Sequence, residues 1–134
     1  MRSLQSWREL TGVETLRCDA YNDDPLRVAR VAMRMPDRER IEAAAGRLAA
    51  LGHPVRATIF SAIAIEPLCV CELSVLLGMS SPALMHHLKI LGRAVLIEAR
   101  KEGKFAVYYP LDLQTVSFVD AALSTERSVI GAKV

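Results

Sequence analysis

The sequence predicts a mainly α-helical protein with one small β-hairpin. Two observations carry most of this. "CELSVLLGMS" and "SSPALMHHLKILGRAVL" read as two short helices separated only by a Gly-Met-Ser-Ser turn, the shape of a helix-turn-helix. Directly after them, "LIEARKEGKFAVYYPL" changes period. Apolar and polar residues alternate on both sides of Lys-Glu-Gly-Lys, and Phe105, Val107 and Tyr109 supply strand formers, which marks a hairpin with a basic tip. Composition agrees. The chain has 134 residues, 51% hydrophobic but only 5% aromatic, so one domain with a core of Leu, Val, Ile and Ala is expected. Helices, a helix-turn-helix and a two-stranded wing together describe a winged helix-turn-helix.

The elements follow in order. Residues 1–22 have weak periodicity and read as a loose extension. "NDDPLRVARVAMRM" is a short helix: Asp24 can cap it, Pro25 suits the first helical position, and Pro36 ends it. "DRERIEAAAGRLAALG" is a second helix, with Ile41, Ala44, Ala45, Leu48 and Leu51 or Gly52 on one face and Gly52 closing it. "HPVRATIFSAIAIE" is a third, begun by His53 and Pro54, and Pro67 breaks the chain after it. The two helices of the helix-turn-helix follow, then the hairpin. A last amphipathic helix is expected over Leu113 to Val129, with Val116, Val119, Ala122 and Leu123 on one side. The expected organisation is an N-terminal extension with a short helix over residues 1–36, and a DNA-binding and dimerisation domain over residues 37–134.

Basic residues fall where a DNA-binding reading needs them. Between His86 and Lys104 stand five Lys or Arg (Lys89, Arg93, Arg100, Lys101, Lys104) against two acids, Glu98 and Glu102. A basic wing tip can neutralise phosphates, and the positive N-terminal end of a helix adds to this. Ser80, Ser81, Pro82, His86, His87 and Lys89 on the second helix are therefore candidate DNA-contacting residues, with Arg100, Lys101 and Lys104 on the hairpin. The plainer alternative is a solvated charged hairpin on an ordinary helical protein, which the order of elements disfavours. His86 and His87 do not suggest a metal, because adjacent helical positions point about 100° apart. Both are expected at the surface or facing DNA.

"LCVCEL", Leu68 to Leu73, holds two cysteines at the mouth of a helix. With Cys69 as the cap, Glu72 falls where a capping box wants an acid, and Leu68 and Leu73 fall at the staple positions. A thiol thus stands where a hydroxyl is usual. A helix N-terminus favours the thiolate, the form that binds soft metals. The spacing of two matters as well. Inside a helix such residues point about 200° apart, whereas in an extended segment they share a side. Joint ligation therefore requires a loosened first turn. Cys18 in "LRCDAYNDD" is the one other cysteine. Three sulfurs suit Pb(II), As(III) or Cd(II), with Asp19, Asp23 or water as a fourth ligand for Cd(II) or Zn(II). The bland reading of each cysteine is a small buried hydrophobe.

A formal net charge of +2 does not by itself announce nucleic-acid binding. "MRSLQSWREL" lacks the apolar core of a secretion signal. The longest uncharged run, Leu73 to Leu88, is too short and too polar to span a bilayer. A cytoplasmic protein without a membrane partner is expected, in a compartment where cysteines are more often ligands or buried than disulfide-bonded.

"LGHPVRATIF…LCVCELSVLLGMSSPALMHHLKILGRAVLIEARKEGKFAVYYPLD" resembles the ArsR/SmtB family of metal-responsive transcriptional repressors, over roughly Arg38 to Leu123. The resemblance implies a homodimer, not an enzyme, that binds double-stranded operator DNA when metal-free and releases it on binding metal. "CDAYNDD" looks like the N-terminal ligand segment of the CadC-like cadmium and lead branch. Asn22 stands where that branch usually has a second cysteine, which leaves Cys18, Cys69 and Cys71 as the implied ligands. Cd(II) or Pb(II) is then the expected inducer, with As(III) or Zn(II) as alternatives. The arsenite branch often has a cysteine where Ser74 stands. The family's zinc site on the last helix needs histidines, and Asp112, Gln114, Thr125 and Ser128 stand near the expected places, so that site is expected to be absent. Terminal helices would pair in the dimer through faces such as Ile41–Leu48 and Val116–Leu123, and an extension crossing to the other subunit would bring Cys18 to Cys69 and Cys71. A thiol redox-sensing repressor, a redox enzyme or metal carrier without DNA, and a dimeric interaction module remain as other readings.

Overall fold

The protein is described from a computed structural model over residues 24–125. It divides into two units, Met1–Ala45 and Gly46–Val134.

In the first unit, α1 (Pro25–Arg34) starts as its sequence dictates. The Asp24 carboxylate accepts hydrogen bonds from the Leu26 and Arg27 amides at 3.0 and 3.2 Å, and Pro25 takes the first helical position. None of its residues is buried, and Leu26, Val31 and Met33 are exposed. α2 (Arg38–Leu51) begins here and runs on into the second unit.

The second unit contains α3 (Pro54–Ile65), β1 (Leu68–Cys69), α4 (Val70–Leu77), α5 (Ser81–Arg93), β2 (Ile97–Glu102), β3 (Phe105–Pro110) and α6 (Leu113–Leu123). Its core joins Ile59, Phe60 and Ile63 of α3 to Leu73 of α4 and to Leu84, Leu88 and Leu91 of α5, closed by Leu96, Ile97 and Ala50. Val116 and Val119 of α6 pack against it, as their periodicity requires. Leu113, Phe118 and Leu123 stay exposed. The expected helix-turn-helix is α4 and α5. Gly78 ends α4 in the left-handed region at φ 64°, where glycine carries no Cβ penalty. The Ser74 hydroxyl donates to the Met79 carbonyl and so helps close the turn.

The wing differs from the expected two strands. Its sheet has three, in the order β1-β3-β2, all antiparallel. Leu68 lies opposite Tyr108 and Cys69 opposite Val107. The turn between β2 and β3 has two residues, since Glu102 pairs with Phe105. Gly103 occupies the first of them at φ 62°, the requirement of a type II′ hairpin turn.

Val95 is the one non-glycine residue with positive φ, 59°, among the described residues. It ends α5 in a Schellman arrangement: its amide donates to the Gly92 carbonyl at 3.0 Å and that of Leu96 to the Leu91 carbonyl at 3.1 Å. A β-branched residue pays for this conformation, and at 62% exposure Val95 regains little by packing. Val95→Gly is expected to stabilise the protein by about 1 kcal/mol, read as a higher urea midpoint at unchanged m-value.

Candidate metal centre and nucleic-acid interface

Cys69 has two structural roles at once. It is the last residue of β1 and the N-cap of α4, with extended backbone at φ −85° and ψ 170°. Its amide donates to a Glu72 carboxylate oxygen at 3.1 Å, the reciprocal half of the capping box. Hydrogen bonds from the Cys69 thiol and then from its amide hold the Glu72 pKa below the usual carboxylate value. Leu73 is buried and Leu68 packs on the core, so both staple positions face inward as the sequence suggests.

Cys71 lies two residues on and is exposed, while Cys69 is half-buried; both are free thiols. Because Cys69 already stands outside the helix, the pair is not fixed at the opposed angles of two helical residues. An open, mainly apolar groove of about 470 Å³ lies over Cys71, lined also by Leu68, Glu72, Val75 and Leu76. One exposed and one half-buried thiol beside a carboxylate suit a soft ion. They are not a full site: among the described residues, no group of three or more His, Cys, Asp or Glu side chains could hold a metal ion. A third donor has to come from elsewhere, and Cys18 lies outside the described residues. Near the last helix, Asp112 is committed to capping α6. Its carboxylate accepts from the Thr115 amide at 2.6 Å and the Thr115 hydroxyl at 3.0 Å, bonds that lower its pKa.

The candidate DNA-contacting residues occupy α5 and the hairpin. Ser80 caps α5, accepting from the Ala83 amide at 3.4 Å, and Ser81 and Pro82 form the exposed first turn. His86 and Lys89 are exposed. Lys101 and Lys104 are exposed near the wing tip, with no acidic partner among the salt bridges of the described residues. Arg100 is exposed but engaged. It pairs with Glu98 on its own strand and lies 4.3 Å from the Tyr109 ring centroid. The Tyr109 hydroxyl donates to Glu102. The hairpin's two acids are thus drawn to its own side chains, which leaves the lysines as its free positive charge.

His87 departs from a surface position. It is half-buried, its ring centroid lies 5.0 Å from that of His53, and its Nδ1 is buried without a hydrogen-bond partner. His53 is the N-cap of α3, its Nδ1 accepting from the Val55 amide at 3.2 Å. Burial first, then the nearby charge of His53, Arg56 and His86, holds the His87 pKa below the ordinary imidazole value. The unfolded chain therefore binds a proton at a pH where the folded protein does not, and stability falls as pH drops below about 6.5. His87→Gln is expected to flatten this part of the stability profile, measured by urea unfolding between pH 7 and 5.

A cap-and-staple helix start, a helix-turn-helix and a basic three-stranded wing define a winged helix-turn-helix transcriptional regulator. Comparison with known proteins narrows the class. The family described as bacterial regulatory protein, arsR family, matches residues 53–99. A putative arsenical resistance operon repressor of Halobacterium salinarum is 39% identical, over 58% of this chain and 69% of that one. A cadmium resistance transcriptional regulatory protein CadC homolog of Staphylococcus aureus is 35% identical, over 60% and 67%. The solution structure of a homodimeric winged helix-turn-helix DNA-binding domain from Mycobacterium bovis superposes with a TM-score of 0.60 at 22% identity, covering 66% of this chain and 84% of that one. The chain belongs to the ArsR family.

Proposed function

We propose that this protein is a homodimeric, cytoplasmic repressor that holds operator DNA with α5 and the wing and releases it when a soft ion, Cd(II) or Pb(II), binds Cys69, Cys71 and Cys18. The observation that carries the reading is the pair of free thiols, Cys71 exposed and Cys69 half-buried, at the start of α4, the helix that leads into α5. The exposed apolar residues of α1 and α6 supply surface for a second copy, and both relatives are named for resistance to thiophilic elements. Bound there, the ion supplies thiolate bonds in place of thiol protons. Everything else is the chain's own work. Drawing Cys69 toward Cys71 and a third donor competes with its place as cap and β1 residue. Release needs only that the ion prefer the rearranged start, and a coupling of about 1–3 kcal/mol lowers operator affinity roughly 5- to 150-fold.

The test is a titration of the full chain with Cd(II), Pb(II), Zn(II) and arsenite. Sulfur-to-metal ultraviolet absorption is followed alongside anisotropy of DNA from its own promoter. Absorption and release with Cd(II) or Pb(II) at the lowest concentrations support the reading. Arsenite acting first gives the metalloid alternative, and release by peroxide that a reductant reverses gives the redox one. No absorption with any of them sinks the metal reading. On the DNA side, Lys101→Ala and Lys104→Ala are each expected to reduce the slope of log affinity against log salt by about 0.9. Arg100→Ala should change it less, because its guanidinium is already paired.

A further inference from the structure

The two-residue strand β1 stands between the thiol pair and both DNA-facing elements. Cys69 lies opposite Val107, and Val107 lies opposite Arg100. These three form one row across the sheet, with side chains on one face, since directly opposed residues share a face. The next row is Leu68, Tyr108 and Ala99. Within it, the Tyr108 hydroxyl donates to the Met85 sulfur of α5 at 3.9 Å, and Leu68, Tyr108 and Met85 all pack on the core. β3 is therefore tied to β1 on one side, to the basic strand of the wing on the other, and to α5 through Tyr108.

We propose that the pairing of β1 with β3 transmits the state of the thiols to the wing and to α5, with Tyr108 as the positioning residue that joins the two. This rests on the reading of Cys69 as a ligand and goes beyond it by naming the route. The Cys69 amide is held by Glu72. By the alternation of antiparallel ladders, the bonds of this strand pair are then those exchanged between Leu68 and Tyr108. A strand this short has no further pair to hold its register when Cys69 moves. Drawing Cys69 toward another donor breaks the Leu68–Tyr108 bonds and frees the Tyr108 ring. The contact with Met85 and the row ending at Arg100 then lose their fixed spacing, on which simultaneous docking of α5 and the wing depends.

The experiment is amide hydrogen exchange on the full chain, without and with saturating Cd(II), with ultraviolet absorption reporting occupancy. Exchange at Leu68 and Tyr108 is expected to speed up at least tenfold with Cd(II) in the wild type and to stay unchanged in Cys69→Ser. Tyr108→Phe keeps the ring and removes the hydroxyl. It is expected to retain Cd(II) absorption while metal-free operator affinity falls at least threefold toward the Cd(II)-bound value, so that Cd(II)-induced release weakens correspondingly. Absorption with unchanged exchange at Leu68 and Tyr108 overturns the route and leaves the metal reading standing; absence of absorption overturns both. Release by Tyr108→Phe equal to that of the wild type removes Tyr108 from the route.

Discussion

Phe60→Ala is expected to lower the unfolding free energy by about 3–5 kcal/mol. Phe60 is 0% exposed and is the largest of the fully buried side chains among the described residues. It sits in α3, which contacts α5, α6 and β3, so no single element can collapse into the space it leaves. A domain of this size has about 5–15 kcal/mol of stability in all. The loss therefore removes at least about a fifth of it and, in a domain near the lower bound, more than half, and operator binding is expected to weaken at growth temperature with no side chain on the DNA-facing surface altered. The control is Val75→Ala on the neighbouring helix. Val75 is 86% exposed, and its truncation should stay within about 0.5 kcal/mol. Urea unfolding of the two variants checks the contrast. A loss below about 1 kcal/mol at Phe60 would mean that the core is not organised around it.

Much of this framework was legible in the sequence because its signals are local. Asp24 with Pro25, His53 with Pro54, and Cys69 with Glu72 each announce a helix start within four residues, and each starts one. Gly103 announces the hairpin turn in the same way. What was not legible is non-local. β1 exists only because β3, nearly forty residues later, offers an edge to Leu68 and Cys69, and two residues carry no period of their own. The engagement of Arg100 likewise depends on Tyr109 from the facing strand. His87 is a different case, for its signal was present. Leu84, His87, Leu88 and Leu91 follow the spacing of one helical face, and the three leucines are buried. A histidine inside that stripe belongs against the core, and a polar residue type outweighed its position in the reading of the surface. Val95 gave no signal, because a β-branched residue is a poor choice for a left-handed cap.

The largest functional effect is expected from replacing Cys69 and Cys71 together by serine, and the two roles of Cys69 make the outcome specific. As a cap, serine is the better residue, since its hydroxyl accepts a helix amide more strongly than a thiol does. The Glu72 carboxylate keeps its bond to the backbone amide at position 69, which no side-chain change removes. Metal-free stability is therefore expected to hold or to rise by a few tenths of a kcal/mol, and metal-free operator binding should match the wild type. As a ligand, serine is a poor substitute. Structural Zn(II) in four-ligand zinc-finger peptides binds with about 10–16 kcal/mol, roughly 2.5–4 kcal/mol per ligand; on that scale the loss of two sulfurs weakens Cd(II) binding by about three orders of magnitude or more and removes release with it. The single variants divide the roles: Cys71→Ser touches only the ligand, whereas Cys69→Ser touches ligand, cap and strand together. Equal loss of metal response in both singles, with unfolding midpoints no lower than wild type, is the result expected of a shared site. A double variant that still releases operator at wild-type Cd(II) concentrations would place the sensing chemistry elsewhere in the chain.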